Sequence, residues 1–167
     1  MRNPNFMGES HPQRSEDKNK MVKKMNILFV CRYNRFRSRV ALAYFNKINK
    51  NKNIKAKSVG LIKGQPLNPF TIRIAKGFGF DIKGKIQGLT SKLMAWQDVT
   101  VVVADDVPPQ VFDKNKKYGK KVIVWKIKDV AGTNIFGIKK IIKSIMTRVD
   151  MLNKQLEKPL RIGFARR

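Results

Sequence analysis

The chain has 167 residues, is 42% hydrophobic and contains no apolar run near the roughly 18–20 residues that cross a bilayer, so one domain with a buried core is expected. A single cysteine excludes an internal disulfide framework, and with only one histidine the chain offers a metal no obvious ligand set. The formal net charge is +26; residues 1–24 hold 6 Lys+Arg and 3 Asp+Glu, so the remainder, with 31 against 8, still carries +23.

Residues 1–24 are polar, without apolar periodicity, and read as a flexible extension. They lack the central apolar stretch of a secretory signal, which makes a cytoplasmic location the expectation. The domain is expected over 25–157. Residues 26–30 (NILFV) form a short apolar run of the kind buried on both faces of a sheet. Over 38–49, Ala41, Tyr44, Phe45 and Ile48 recur at helical spacing. Residues 54–59 alternate apolar residues with lysine and read as a strand near a sheet edge. A helix is predicted over 66–77, begun at Asn68-Pro69, and another over 90–96, opened by a Thr or Ser cap. Residues 100–104 (TVVVA) form a buried strand broken by Asp105-Asp106 and the prolines after it, with a short helix to follow. Residues 122–127 (VIVWKI) read as a fourth strand. Ile138, Ile141, Ile142, Ile145, Val149, Leu152 and Leu156 mark a long amphipathic helix. Residues 158–167 form a basic tail. Strands alternating with helices predict a single-domain α/β fold: a four-stranded parallel sheet flanked by helices on both faces.

The segment after the first strand carries the chemistry. It reads Cys31-Arg32-Tyr33-Asn34-Arg35-Phe36-Arg37-Ser38 and leads into a helix N-terminus. Ligands of open α/β sheets bind at the carboxyl ends of strands. Free N–H groups and the helix dipole favour an anion there. Such a positive field also favours thiolate, the reactive form of cysteine. Arg37 can grip two phosphate oxygens with its planar fork, and Ser38 can donate its hydroxyl to the sulfur. The loop therefore reads as a phosphate site with a nucleophile built in.

The C-x5-R-S pattern directly after an apolar strand resembles the low-molecular-weight protein tyrosine phosphatases and their arsenate reductase relatives. Asn34 stands at the family's loop asparagine. Ser58-Val59-Gly60 is similar to its Ser-Ala-Gly, and Asp98 with the VVVAD strand to its Asp, apolar strand and Asp. Trp125-Lys126-Ile127-Lys128-Asp129 resembles the segment ending in its general acid. The resemblance implies a cysteine-dependent phosphatase acting on phosphotyrosine or another phosphomonoester through a cysteinyl-phosphate. Cys31, Arg37 and Asp129 would be catalytic. Arg32, Tyr33, Asn34, Arg35, Phe36, Arg37 and Ser38 would surround the phosphate. Asn34, Ser38 and Ser58 would support the loop, with Asn34 in the left-handed conformation that asparagine tolerates. No cofactor or metal is implied. The expected partner is a phosphorylated protein or small phosphomonoester, met by a monomer that does not engage a membrane.

The chain departs from the family pattern at several places. Tyr33 replaces a small residue, Phe36 stands where a second loop cysteine is common, and Arg32 and Arg35 add charge at the mouth. Asp129 is followed by Val130-Ala131 in place of Pro-Tyr. Other readings stay open on sequence alone. Cys31 can be a buried structural cysteine, Arg37 a solvated helix residue, and Asp129 a loop carboxylate. Asp105 and Asp106 read as a solvated turn, and Trp96 and Trp125 as core. An arsenate reductase of this composition would need an external thiol. A non-catalytic module binding anions or nucleic acid would use the basic surface, though its lysines are scattered rather than clustered.

Overall fold

The computed structural model describes residues 23–64 and 66–158. Nearly all of the predicted N-terminal extension, with His11, and all but the first residue of the basic tail lie outside the described residues. Four strands form one parallel sheet: β1 (Met25–Cys31), β2 (Ile54–Gly60), β3 (Val99–Val103) and β4 (Lys121–Trp125), in the order β2-β1-β3-β4. β1 is thus central and β2 lies at an edge, as its lysine alternation predicts. The helices are α1 (Arg37–Ile48), α2 (Pro69–Gly77), α3 (Ser91–Trp96), α4 (Asp113–Lys117, preceded by a 3-10 turn at Pro109–Phe112) and α5 (Ile135–Glu157).

The pleat sorts the core into two layers. Ile27 and Phe29 of β1 and Val99, Val101 and Val103 of β3 face Val40 and Phe45 of α1 and the isoleucines of α5. Leu28, Val30 and Val102 face the other way, toward Val107, Phe112 and the partly buried Leu93 and Met94. Successive residues of a strand point to opposite faces, so a run apolar at every position must be covered on both sides. Helices accordingly cover both faces. Trp125 packs in the first layer, 6.2 Å from the ring of Phe29.

Helix starts follow local chemistry. Asn68 Oδ1 accepts from Phe70 N ahead of Pro69, Thr90 Oγ1 from Leu93 N, and Asn134 Oδ1 from Gly137 N. α1 begins after Phe36 with no side-chain cap and no acid in its first turn. β4 ends two residues before the predicted limit. Ile127 N turns back to the Trp125 carbonyl at 2.8 Å, and its own carbonyl leaves the ladder to meet an arginine.

The strand order also locates a crevice. The chain crosses from β1 to β2 on one side, then returns past β1 to β3. Connections leaving the carboxyl ends of β1 and β3 therefore diverge, which opens a cleft between them. The loop after β1 is residues 32–36; the loop after β3 begins at Ala104.

Candidate active site

The loop after β1 is held from below by one buried asparagine. Asn34 has φ 53°, in the left-handed region, and is 1% exposed. Its amide nitrogen donates to Ser38 Oγ and Ser58 Oγ, both at 3.0 Å, and its Oδ1 accepts from Gln87 N at 3.0 Å. Asparagine visits this conformation more readily than most residues, and here all three bonds depend on it. The neighbouring segment follows the loop closely. Leu61 N donates to the Cys31 carbonyl at 2.8 Å and Ile62 N to the Arg32 carbonyl at 3.1 Å. A Cβ on Gly60 would stand 2.8 Å from Asn34 N and 2.7 Å from the Tyr33 carbonyl carbon, so only glycine admits this approach.

Cys31 ends β1, buried, with its sulfur 3.1 Å from Ser38 Oγ. Because that oxygen already accepts a hydrogen from Asn34, its own proton is available to the sulfur. Arg37 opens α1 and is 2% exposed. Its Nη1 donates to the Ile127 carbonyl at 2.7 Å, and its Nη2 donates to Asp106 at 2.9 Å and Asp129 at 3.3 Å. Asp105 lies 3.7 Å from Nη1. A buried guanidinium requires such partners. Asp129 is half exposed, and its other oxygen accepts from Val130 N at 2.9 Å.

The structure corrects one reading directly. Asp105 and Asp106 form more than a solvated turn: they leave β3 at the crevice and neutralise Arg37. Asp106 also meets Arg32 at 3.8 Å. Strand order creates this contact across 69 residues, and no local signal announces it.

Cys31, Tyr33, Arg35, Phe36, Arg37 and Asp129 line one cavity of about 160 Å³, completed by Asn68, Thr71, Val130, Gly132 and Ile138. Asn34, Ser38 and Ser58 lie beneath the loop, outside the lining. The exposed Arg32 lies outside it too, its guanidinium stacked over the Tyr33 ring at 5.2 Å. The volume is well under the roughly 300–1,000 Å³ of sites that enclose a drug-sized ligand. It suits a group of phosphoryl size.

Sequence reasoning missed Arg39. Its side chain is buried and donates to the carbonyls of Asn34 (2.7 Å), Ile82 (2.9 Å), Gly84 (2.9 Å) and Lys85. It ties the backbone of the loop after β1 to the segment before α3. Burial pushes its guanidinium below the ordinary value, and the neighbouring Cys31 acts in the opposite direction. In a chain with 37 Lys+Arg nothing local marks it out. Its position directly after the C-x5-R-S run is the only cue, and a weak one.

A family model described as low molecular weight phosphotyrosine protein phosphatase matches residues 26–161. No curated protein sequence matches. Among solved structures, the chain is similar to a low molecular weight protein tyrosine phosphatase from T. tengcongensis: 23% identity, TM-score 0.69, covering 79% of this chain and 99% of that one. It is similar to the YwlE arginine phosphatase from Geobacillus stearothermophilus: 21% identity, TM-score 0.68, covering 79% and 92%. It is also similar to an arsenate reductase from Archaeoglobus fulgidus: 25% identity, TM-score 0.60, covering 77% and 98%. The fold is common to all three, and their activities differ.

Proposed function

Because the chain belongs to the low molecular weight phosphotyrosine protein phosphatase family, we propose that it hydrolyses phosphotyrosine or another phosphomonoester in two steps through Cys31. The observation that carries the proposal is the convergence of Cys31, Arg37 and Asp129 on one small cavity at the start of α1. In the first step the Cys31 sulfur attacks phosphorus. The S–P bond forms as the P–O bond to the leaving group breaks, and Asp129 delivers its proton to the departing oxygen. In the second step Asp129 takes a proton from water. The resulting hydroxide attacks phosphorus, the S–P bond breaks, and inorganic phosphate leaves.

The surroundings fit these roles. Splitting one difficult displacement into two lowers each barrier. The hydroxyl of Ser38 supports negative charge on sulfur. The uncapped N-terminus of α1 and the Arg37 fork face the charge that spreads over the equatorial oxygens. Asp129 already lies within reach of Arg37, so acid and phosphate clamp are held in register. Tyr33 lines the cavity and offers an aromatic face to a phenolic leaving group.

The test is hydrolysis of a chromogenic aryl phosphate with vanadate as inhibitor. Cys31→Ser should be inactive, and a phosphoenzyme should be trapped on Cys31 in the native chain. Asp129→Asn should lose about 10²–10⁴-fold in kcat, the usual contribution of a general acid–base. Full activity in Cys31→Ser overturns the proposal; a normal rate in Asp129→Asn removes that residue from it.

The likeness to the Archaeoglobus fulgidus arsenate reductase supports a second reading, in which arsenate occupies the same loop. With one cysteine in the chain, an external small thiol or glutaredoxin would have to resolve the cysteine–arsenic adduct. Thiol-dependent arsenate turnover without aryl phosphate hydrolysis would favour this reading over the first.

A further inference from the structure

The charges around the cavity are not compensated alike. Arg37 is paired with Asp105, Asp106 and Asp129, and Arg32 shares Asp106. Arg35, on the same loop, meets no carboxylate among the described residues. Its Nε donates to the Pro66 carbonyl at 3.1 Å, which fixes the stem and leaves the terminal nitrogens to point elsewhere. Lys63 is likewise without an acidic partner among the described residues.

These two cations line one open depression of about 440 Å³, with Tyr33 and Gly64 as its remaining walls. Tyr33 and Arg35 also line the phosphate cavity, so the two concavities share a wall and open side by side. The juxtaposition is built into the backbone. A Cβ on Gly64 would collide with the Tyr33 carbonyl oxygen and stand 2.7 Å from Tyr33 Cβ and 3.2 Å from Arg35 Cγ. Glycine alone lets the segment after β2 that carries Lys63 lie flush against the loop carrying Arg35.

We propose that this depression is a second anion subsite, and that the preferred substrates are phosphomonoesters carrying a further phosphate or carboxylate close to the scissile group. The inference rests on the phosphatase reading for its substrate and adds a site that the catalytic steps do not use. The first phosphate enters the cavity of Cys31; the second anion meets the free end of Arg35 and the ammonium of Lys63. An unpaired guanidinium binds phosphate or carboxylate through charge-assisted hydrogen bonds. Lysine contributes a point charge, and the exposure of Lys63 keeps that contribution modest.

The experiment compares binding of benzylphosphonate with that of its meta- and para-phosphonomethyl counterparts to the full chain, by calorimetry. These probes are not hydrolysed, so the measurement is independent of turnover. At least one bisphosphonate should bind about fivefold to tenfold more tightly than the monophosphonate. Lys63→Gln should reduce that ratio about twofold, and Lys63→Arg should keep it. Lys154→Gln removes an equal charge from the last turn of α5, roughly 24 Å along the helix from Ile138 at the cavity. It should leave the ratio unchanged. A ratio near one in the native chain overturns the subsite. So does a ratio insensitive to Lys63→Gln, or one reduced equally by Lys154→Gln, which would mean that the overall field of a basic protein attracts the second anion. Failure to hydrolyse aryl phosphates with the ratio intact would remove the phosphatase reading and leave the subsite standing.

Discussion

Asn34→Ala is the sharpest probe of how the loop is held. The substitution removes three hydrogen bonds from a side chain that is 1% exposed: two donated to Ser38 and Ser58 and one accepted from Gln87 N. A buried hydrogen bond contributes about 1 kcal/mol net, so their loss costs about 3 kcal/mol. Holding alanine at φ 53° adds about 1 kcal/mol, because alanine keeps the Cβ crowding of the left-handed region but lacks the short polar side chain whose local hydrogen bonds offset it in asparagine. The total, about 3–4 kcal/mol, is a large share of the roughly 5–15 kcal/mol that stabilises a domain. It corresponds to a fall of about 10–15 °C in Tm. Ser58→Ala loses one of the three bonds and should cost about 1 kcal/mol. Urea denaturation of both single variants and the double variant forms a cycle. Because the two residues are in contact, it should return a coupling of about 1 kcal/mol. Zero coupling, or a loss under about 1 kcal/mol in Asn34→Ala, would refute the reading of Asn34 as the anchor of the loop.

Arg39→Met keeps the stem but removes the donors to the carbonyls of Asn34, Ile82, Gly84 and Lys85. It should cost about 3–5 kcal/mol by chemical denaturation, and should lower phosphatase activity, since one of those carbonyls belongs to the loop. Tyr44 gives a pH signature. Burial first, and then its 2.9 Å hydrogen bond to Asp150, raise the phenol above its ordinary value. The folded state then holds a proton that the unfolded state releases near pH 10. This contribution is complete below pH 10 and is lost as pH rises through the raised value. Urea midpoints measured at pH 8 and pH 11 should show a smaller alkaline loss in Tyr44→Phe than in the native chain; equal slopes would remove the Tyr44–Asp150 contact as the cause.

Some features were legible because local physics decides them. Residues 26–30 and 100–104 read as strands covered on both faces because they are apolar at every step, and β1 and β3 are the two inner strands. The isoleucine spacing of the last helix gave its buried stripe, although α5 begins at Ile135, three residues earlier than its first apolar marker, where Asn134 caps it. Asn68-Pro69 and Thr90 marked helix starts correctly because caps are local chemistry. The order of Cys31, Arg37 and Ser38 pointed to an anion site for the same reason: a strand end followed by a helix start supplies the N–H groups whatever surrounds them.

Other features depend on contacts between residues far apart in the chain. Asp105 and Asp106 look like any polar turn until β3 is placed beside β1, whereupon they become the counter-charges of Arg37. Arg39 and Lys63 are two cations among 37 until the fold buries one under four carbonyls and sets the other beside Arg35. By itself the sequence determined the elements, the parallel α/β class and the place of the candidate anion loop, because strand burial, helix capping and the C-x5-R-S spacing act over a few residues. Only the tertiary structure decided which carboxylates meet Arg37 and which cations stay unpaired at the mouth, because strand order and close glycine packing set those distances across tens of residues.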